Sequence, residues 1–324
     1  MSDILNLPNN AENYYRKAQN ALENNNFAEA IHLLEQSFAL DADPKIFTEL
    51  ARLYLLIQDT DAMQKLWDHN YPHQVDRFQT ESLATLYALS LEILKDSSQS
   101  LLELYQIKDH FIEQSWSTDQ IDLLIHEYKQ ANEFEQVINK INDETDAKKL
   151  IDNILKLGID KLAIRVKYLY RFANPSAFIV LDSLLKHSDV PHFIKSDILH
   201  YYLYQKIDKQ VTLYWFSQSY VLNTNQLKEY RSNFIYKEIV NLIQDYTDQN
   251  NPNFYTELIQ IFNLMVMVFY PFIEKAIPNA QDWFQIFLHY YDLEEYKNGD
   301  PDPTIVKYLE TAIEEISQLT INTP

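Results

Sequence analysis

The sequence predicts an all-α fold, and three observations carry that prediction. Only two glycines, Gly158 and Gly299, occur in 324 residues, whereas strand-and-turn architectures draw on residues that tolerate positive φ. Apolar side chains recur at three- and four-residue intervals along most of the chain, the spacing of one helix face. Small residues interrupt the apolar pattern at regular places, beginning with Ala18, Ala30 and Ser37. Two helices need such residues where their backbones approach.

The first helix pair is read from residues 11–44, "AENYYRKAQNALENNNFAEAIHLLEQSFALDADP". Tyr14, Ala18 and Ala21 fall at helical spacing, a three-asparagine turn follows, and Phe27, Ala30, Leu34 and Ser37 form the second helix before Pro44. Residues 45–77 repeat the arrangement, with Phe47, Leu50, Ala51 and Tyr54 on one helix and Met63 and Trp67 on the next. A third copy is read at 118–144 from Ile121, Leu124, Ile125 and Tyr128, then Phe134, Val137 and Ile141. A fourth, at about 144–175, has Leu150, Ile151, Ile154, Gly158, Ala163 and Pro175. This pattern resembles the tetratricopeptide repeat (TPR), a helix–turn–helix unit of about 34 residues. Lys17 and Lys167 depart from it, standing where the family has large apolar residues. The resemblance implies a TPR-like helical-repeat solenoid whose C-terminal half is degenerate.

Between and beyond these copies the helical spacing continues without the signature. Residues 78–95 and 100–114 form one expected pair, and 176–188 and 191–206 another. The period then changes. In "QVTLYWFSQSYVLN", 210–223, Val211, Leu213 and Trp215 alternate with Thr212, Tyr214 and Phe216, which predicts a small β-hairpin turning at "SQS" with Trp215 on the more buried face. Helices are expected again over 226–247, 252–275, 280–296 and 303–319. Three regions follow: 1–77 with the TPR-like repeats, 78–209 with degenerate repeats, and 210–324 with the hairpin and a helical module.

Net charge is −20, distributed as −6 over residues 1–74, −6 over 75–250 and −8 over 251–324. Such a field repels phosphate backbones, so no nucleic-acid partner is expected. The absence of cysteine removes disulfides and thiolate metal sites. The opening "MSDILNLPNN" lacks a basic, apolar leader pattern, so a cytoplasmic protein is expected. The uncharged run 258–273, "LIQIFNLMVMVFYPFI", is shorter than the roughly 20 residues of a membrane span and contains Pro271. It is expected to be buried, with self-association as the alternative.

Catalytic motifs are sparse. Neither glycine lies in a phosphate-cradling pattern, and no cofactor is expected. The strongest metal candidate is Asp68, His69, His73 and Asp76, but Pro72 breaks the helix that would align the two histidines. No metal is therefore expected; a loop-assembled metal-dependent hydrolase is the rival from another class. The acidic run 292–303 lacks the closing glutamate of a calcium loop and reads as a solvated turn.

What remains is binding. In a TPR-like stack, first-helix residues facing away from the core line a concave surface for a partner peptide or helix. The resemblance places Tyr15, Gln19 and Leu22 there from the first copy, and Thr48, Arg52 and Leu55 from the second. The lysine and asparagine with which related co-chaperones clamp a C-terminal carboxylate are replaced by Tyr15 and Gln19. A second candidate is the basic segment 156–171, where Lys161 and Arg165, and Lys167 and Arg171, form pairs four residues apart. The expectation is a non-catalytic interaction adapter or scaffold; the alternative is a regulator in which a bound peptide alters the superhelix.

Overall fold

Small side chains set the first helix contact. α1 (Ala11–Glu23) and α2 (Phe27–Leu40) pack closely, with Ala18, Ala30 and Ser37 fully buried. Ser37 Oγ donates to the Ala11 carbonyl across 2.6 Å, tying the end of α2 to the start of α1 in an antiparallel pair. This computed structural model describes residues 10–23, 26–172, 174–250, 252–295 and 300–321. Most of the opening stretch behind the leader expectation, two residues of the asparagine turn and 296–299 of the acidic run lie outside the described residues.

Among the described residues the chain forms sixteen α-helices and one two-stranded sheet, and it divides into two compact units between Phe134 and Glu135. The first unit continues with α3 (Pro44–Ile57), α4 (Thr60–Asn70), a 3₁₀ turn at 74–78, α5 (Glu81–Leu94), α6 (Ser97–Gln114) and α7 (Asp119–Ile138), whose last four residues already belong to the second unit. Asp43, Asp59, Thr80 and Asp96 accept backbone N–H bonds at the starts of α3 to α6, satisfying donors that the helix leaves open. Large aromatics fill the space beside the small contact residues. Phe47 meets Trp67 edge-on at 4.9 Å, Trp67 meets Tyr87 at 5.1 Å, and Trp67 Nε1 donates to Ser90 Oγ. Helix ends that would commonly use glycine use other residues. Gln58 (φ 59°) and Ser115 (φ 57°) occupy the left-handed position after α3 and α6.

The third copy differs from expectation. Residues 119–138 form one continuous helix rather than two joined by a turn. The segment has neither glycine nor proline to break it, and Ala131 is fully buried in mid-helix.

The second unit contains α8 (Glu144–Leu155) and α9 (Ile159–Arg171), separated by Gly158 at φ 111°. An L side chain rarely adopts that φ, so glycine is favoured there on conformational grounds; a Cβ would also approach the Asp160 carboxylate, which is free to swing aside. α10 (Pro175–Lys186) and α11 (His192–Tyr204) lead into β1 (Gln210–Trp215) and β2 (Gln218–Asn223). The strands pair antiparallel, from Gln210 opposite Asn223 to Trp215 opposite Gln218, and Trp215 is buried as the alternation predicts. The turn itself is Phe216–Ser217, at φ 43° and 66°, so Gln218 and Ser219 belong to the strand instead of the turn.

After short 3₁₀ turns at 224–226 and 230–232 come α12 (Phe234–Asn250), α13 (Tyr255–Phe269), α14 (Ile273–Ala276), α15 (Ala280–Tyr290) and α16 (Pro303–Ile321). Three expected helices, 226–247, 252–275 and 280–296, are thus shorter than their sequence patterns, the last ending at Tyr290. Residues 226–233 are turns, and α13 stops before Pro271, because the residue preceding a proline is driven out of the helical region; Tyr270 sits at ψ 140°. The apolar run 258–273 is mostly core, as expected of a buried helix: Leu258, Phe262, Met265, Val266, Val268 and Phe269 are buried and Leu264 is its one exposed large apolar side chain. No helix among the described residues is long and apolar enough to cross a membrane.

Two expected outcomes follow from this packing. Ala30→Leu forces a larger side chain into a closed helix contact and should cost about 1–3 kcal/mol in urea denaturation; an unchanged midpoint would show that the contact can expand. His200, whose Nδ1 donates to the Ser196 carbonyl and whose ring stacks on Tyr270 at 4.2 Å, is pushed by burial down to a pKa of about 4. The unfolded chain takes up that proton near pH 6.5, so between pH 6.5 and 4 the unfolded state binds more protons and stability falls as pH falls. The stability advantage of the wild type over His200→Gln should shrink by about 2–3 kcal/mol between pH 7 and 4.5. A pH-independent difference would contradict this role of His200.

Candidate functional site

On α1, residues 15, 19 and 22 follow one face at helical spacing, and on α3 residues 48, 52 and 55 do the same. The fold brings the two faces together through a residue that the sequence did not single out. Glu49 accepts from Tyr15 Oη at 2.6 Å through one carboxylate oxygen and from Gln19 Nε2 at 2.7 Å through the other. One helical turn earlier, Lys45 Nζ lies 4.8 Å from the centre of the Tyr15 ring, a cation–π distance. Burial, and then the bond to Glu49, raise the pKa of the Tyr15 phenol, and the Tyr15 contact raises that of Lys45. Glu49 therefore bridges next-but-one helices, while Lys45 and Tyr15 form a second link beside it.

The other residues of the two faces divide by role. Arg52 is exposed one turn beyond Glu49, presenting five donors in a planar fork. The Thr48 hydroxyl donates back to the Pro44 carbonyl at 2.9 Å, which leaves it as an acceptor toward solvent. Leu22 and Leu55 are half-buried and pack against the core of the unit, so they supply an apolar floor more than a reaching group. Glu49 had one sequence signal: it follows Lys45 by four residues on the same helix, the spacing of an ion-pairing neighbour. Nothing in the sequence placed it against Tyr15 and Gln19.

The basic segment in the second unit is arranged differently. Lys161 Nζ lies 3.6 Å from the neighbouring Asp160 carboxylate. The guanidinium groups of Arg165 and Arg171 each lie 5.7 Å from the Tyr168 ring centre, and Lys167 is exposed. Three of the four cations are thus engaged by this chain's own side chains.

The metal candidate is also divided among other contacts. Asp68 takes the Arg77 guanidinium at 2.9 Å and Gln64 Nε2 at 2.6 Å, while Asp76 accepts from the backbone N–H of His73. Among the described residues no group of three or more such side chains is placed to hold a metal ion. No family model matches the chain, and no curated protein or solved structure shows significant similarity to it.

The link between α1 and α3 can be measured directly. A double-mutant cycle combining Tyr15→Phe with Glu49→Ala should give a coupling of about 0.5–1.5 kcal/mol. Strict additivity would mean that Glu49 does not hold the two helices through Tyr15.

Proposed function

We propose that the chain is a non-catalytic, TPR-like adapter that holds a segment of another protein on the α1/α3 face. One observation carries this reading: two next-but-one helices share a surface of polar and aromatic side chains, joined by Glu49 bonded to both Tyr15 and Gln19. Stacked helical repeats use such faces as extended binding surfaces. Tyrosine and arginine are the side chains that most often dominate interface energy, and Tyr15 and Arg52 stand at the two ends of this group. Because Glu49 already orders Tyr15 and Gln19, a partner meets a surface whose rotamers are largely chosen, which lowers the cost of association.

Charge narrows the partner. Up to Phe134 the chain has nine lysines and arginines against twenty-two aspartates and glutamates. That field draws basic protein segments and repels nucleic acid. A cysteine-free chain suits the cytoplasm, although it does not require that compartment. The arginines of the basic segment rest on Tyr168, which favours the α1/α3 face over α9 as the docking surface.

The test uses the partner recovered from native lysate on the immobilised full chain and then titrated in purified form. Arg52→Ala should weaken its binding by about 1–3 kcal/mol without lowering the melting temperature appreciably. Tyr15→Ala should weaken it by a similar amount while also lowering the melting temperature, because the Glu49 bond is lost. Lys161→Ala should leave affinity unchanged. Full affinity in the first two variants with a loss in the third would move the site to α9.

A further inference from the structure

The hairpin of the second unit leaves the outer edge of β2 without backbone partners among the described residues. A two-residue turn makes Trp215 and Gln218 a hydrogen-bonded pair, so along β2 the pairs alternate and Ser219, Val221 and Asn223 direct their N–H and C=O groups away from β1. The bond from Thr224 N to Lys209 O continues the same alternation beyond the strand ends. On β1 one of the equivalent outer groups is engaged: Lys195 Nζ donates to the Tyr214 carbonyl at 2.9 Å, and the strand packs against α10. On β2 the outward main-chain groups of Ser219, Val221 and Asn223 have no backbone partner among the described residues.

Sheet edges are commonly protected by charge, proline or a bulge. β2, "QSYVLN", has no charged residue and no proline, and its register with β1 is unbroken. Beside it lies a cleft of about 480 Å³, lined by Val221 and Leu222 from opposite faces of the strand, which places the cleft along the edge and not over one face. Its far wall comes from the 226–234 segment and from Pro271 to Glu274. Two of the most exposed large apolar side chains of the chain, Phe234 at 73% and Val221 at 64%, both line it.

We propose that this edge receives an extended, basic segment of another protein as a third strand. Alternating unpaired donors and acceptors are matched by another extended backbone, while Val221 and Phe234 offer apolar contacts to alternate side chains of the guest. Charge selects the guest. Glu229 and Glu274 line the cleft against Lys228; Arg231 and Lys275 stand outside its lining, on the Tyr230 and Tyr220 rings, and the chain's net charge of −20 sets the sign of the wider field. A second copy of the chain would bring two molecules of net charge −20 edge to edge, which disfavours homotypic pairing.

A random twelve-residue peptide display library selected on the full chain tests this. The expected winners are basic, with apolar residues at alternate positions, and they slow hydrogen exchange at the amides of Ser219, Val221 and Asn223. N-methylation of one alternate set of peptide amides should abolish binding while methylation of the other set leaves it, a pattern that needs no change to the protein. Val221→Pro, which removes an outward N–H, should weaken binding at least tenfold, with protection of the Leu213 and Tyr220 amides confirming an intact hairpin. Winners that are acidic, that tolerate methylation of either set, or that protect amides elsewhere would overturn the proposal, as would failure to select any peptide. A dimer in sedimentation that Val221→Pro dissociates would replace the guest with a second copy.

Discussion

The approach of α1 to α2 decides where the next helices of the first unit can lie. Ala18 and Ala30 carry only a methyl group between the backbones, and Ser37 reaches the Ala11 carbonyl only at that close distance. With α2 fixed, Glu35 accepts from the Tyr54 hydroxyl at 2.8 Å and locates α3. Only then do Tyr15 and Gln19 on α1 face Glu49 on α3. The candidate binding face is thus a consequence of alanine packing two steps earlier, and a chain with a leucine at position 30 would lose the face along with the contact.

The second unit relies on a carboxylate at a helix start. Glu315 of α16 accepts from the backbone N–H of His192 and Phe193 and from His192 Nδ1 at 2.5 Å. These N–H groups are open donors at the beginning of α11. The other ring nitrogen, Nε2, accepts from Phe216 N, so one imidazole connects the C-terminal helix to the hairpin tip. The Phe216 ring stacks on His192 at 4.2 Å and meets Tyr308 edge-on at 4.6 Å, and these contacts offset the strain of a bulky residue at positive φ. Nearby, burial lowers the Lys195 pKa to about 8, and the Tyr214 carbonyl holds its ammonium. The same tie that satisfies Lys195 engages one outward carbonyl of β1, whereas the outward main-chain groups of β2 have no such partner among the described residues.

Much of this was legible in the sequence, for identifiable reasons. Helix existence followed from apolar spacing and glycine scarcity, and the hairpin with Trp215 inward followed from a period of two. What escaped depends on tertiary contact. The turn at Phe216–Ser217 has none of the residues that mark left-handed turns, because His192 and Tyr308 stabilise it from outside the segment. Gln58 and Ser115 likewise take a conformation that glycine usually takes. Residues 119–138 were read as two helices because their apolar positions fit a repeat, yet nothing between them breaks a helix. Among the candidate binding residues, the repeat resemblance places Tyr15 and Gln19 together, whereas Glu49 joins them only once α3 is in place.

Whether the α1/α3 face meets another protein is tested most directly by replacing Thr48, which lies on that face and whose hydroxyl bonds back to the Pro44 carbonyl, with a photoreactive phenylalanine analogue. The full chain is then irradiated in native lysate, with the same replacement at Lys161 in parallel. A discrete adduct of higher mass is expected from position 48, lost when Arg52→Ala is added, and none from position 161. Adducts from 161 with none from 48 would contradict this placement.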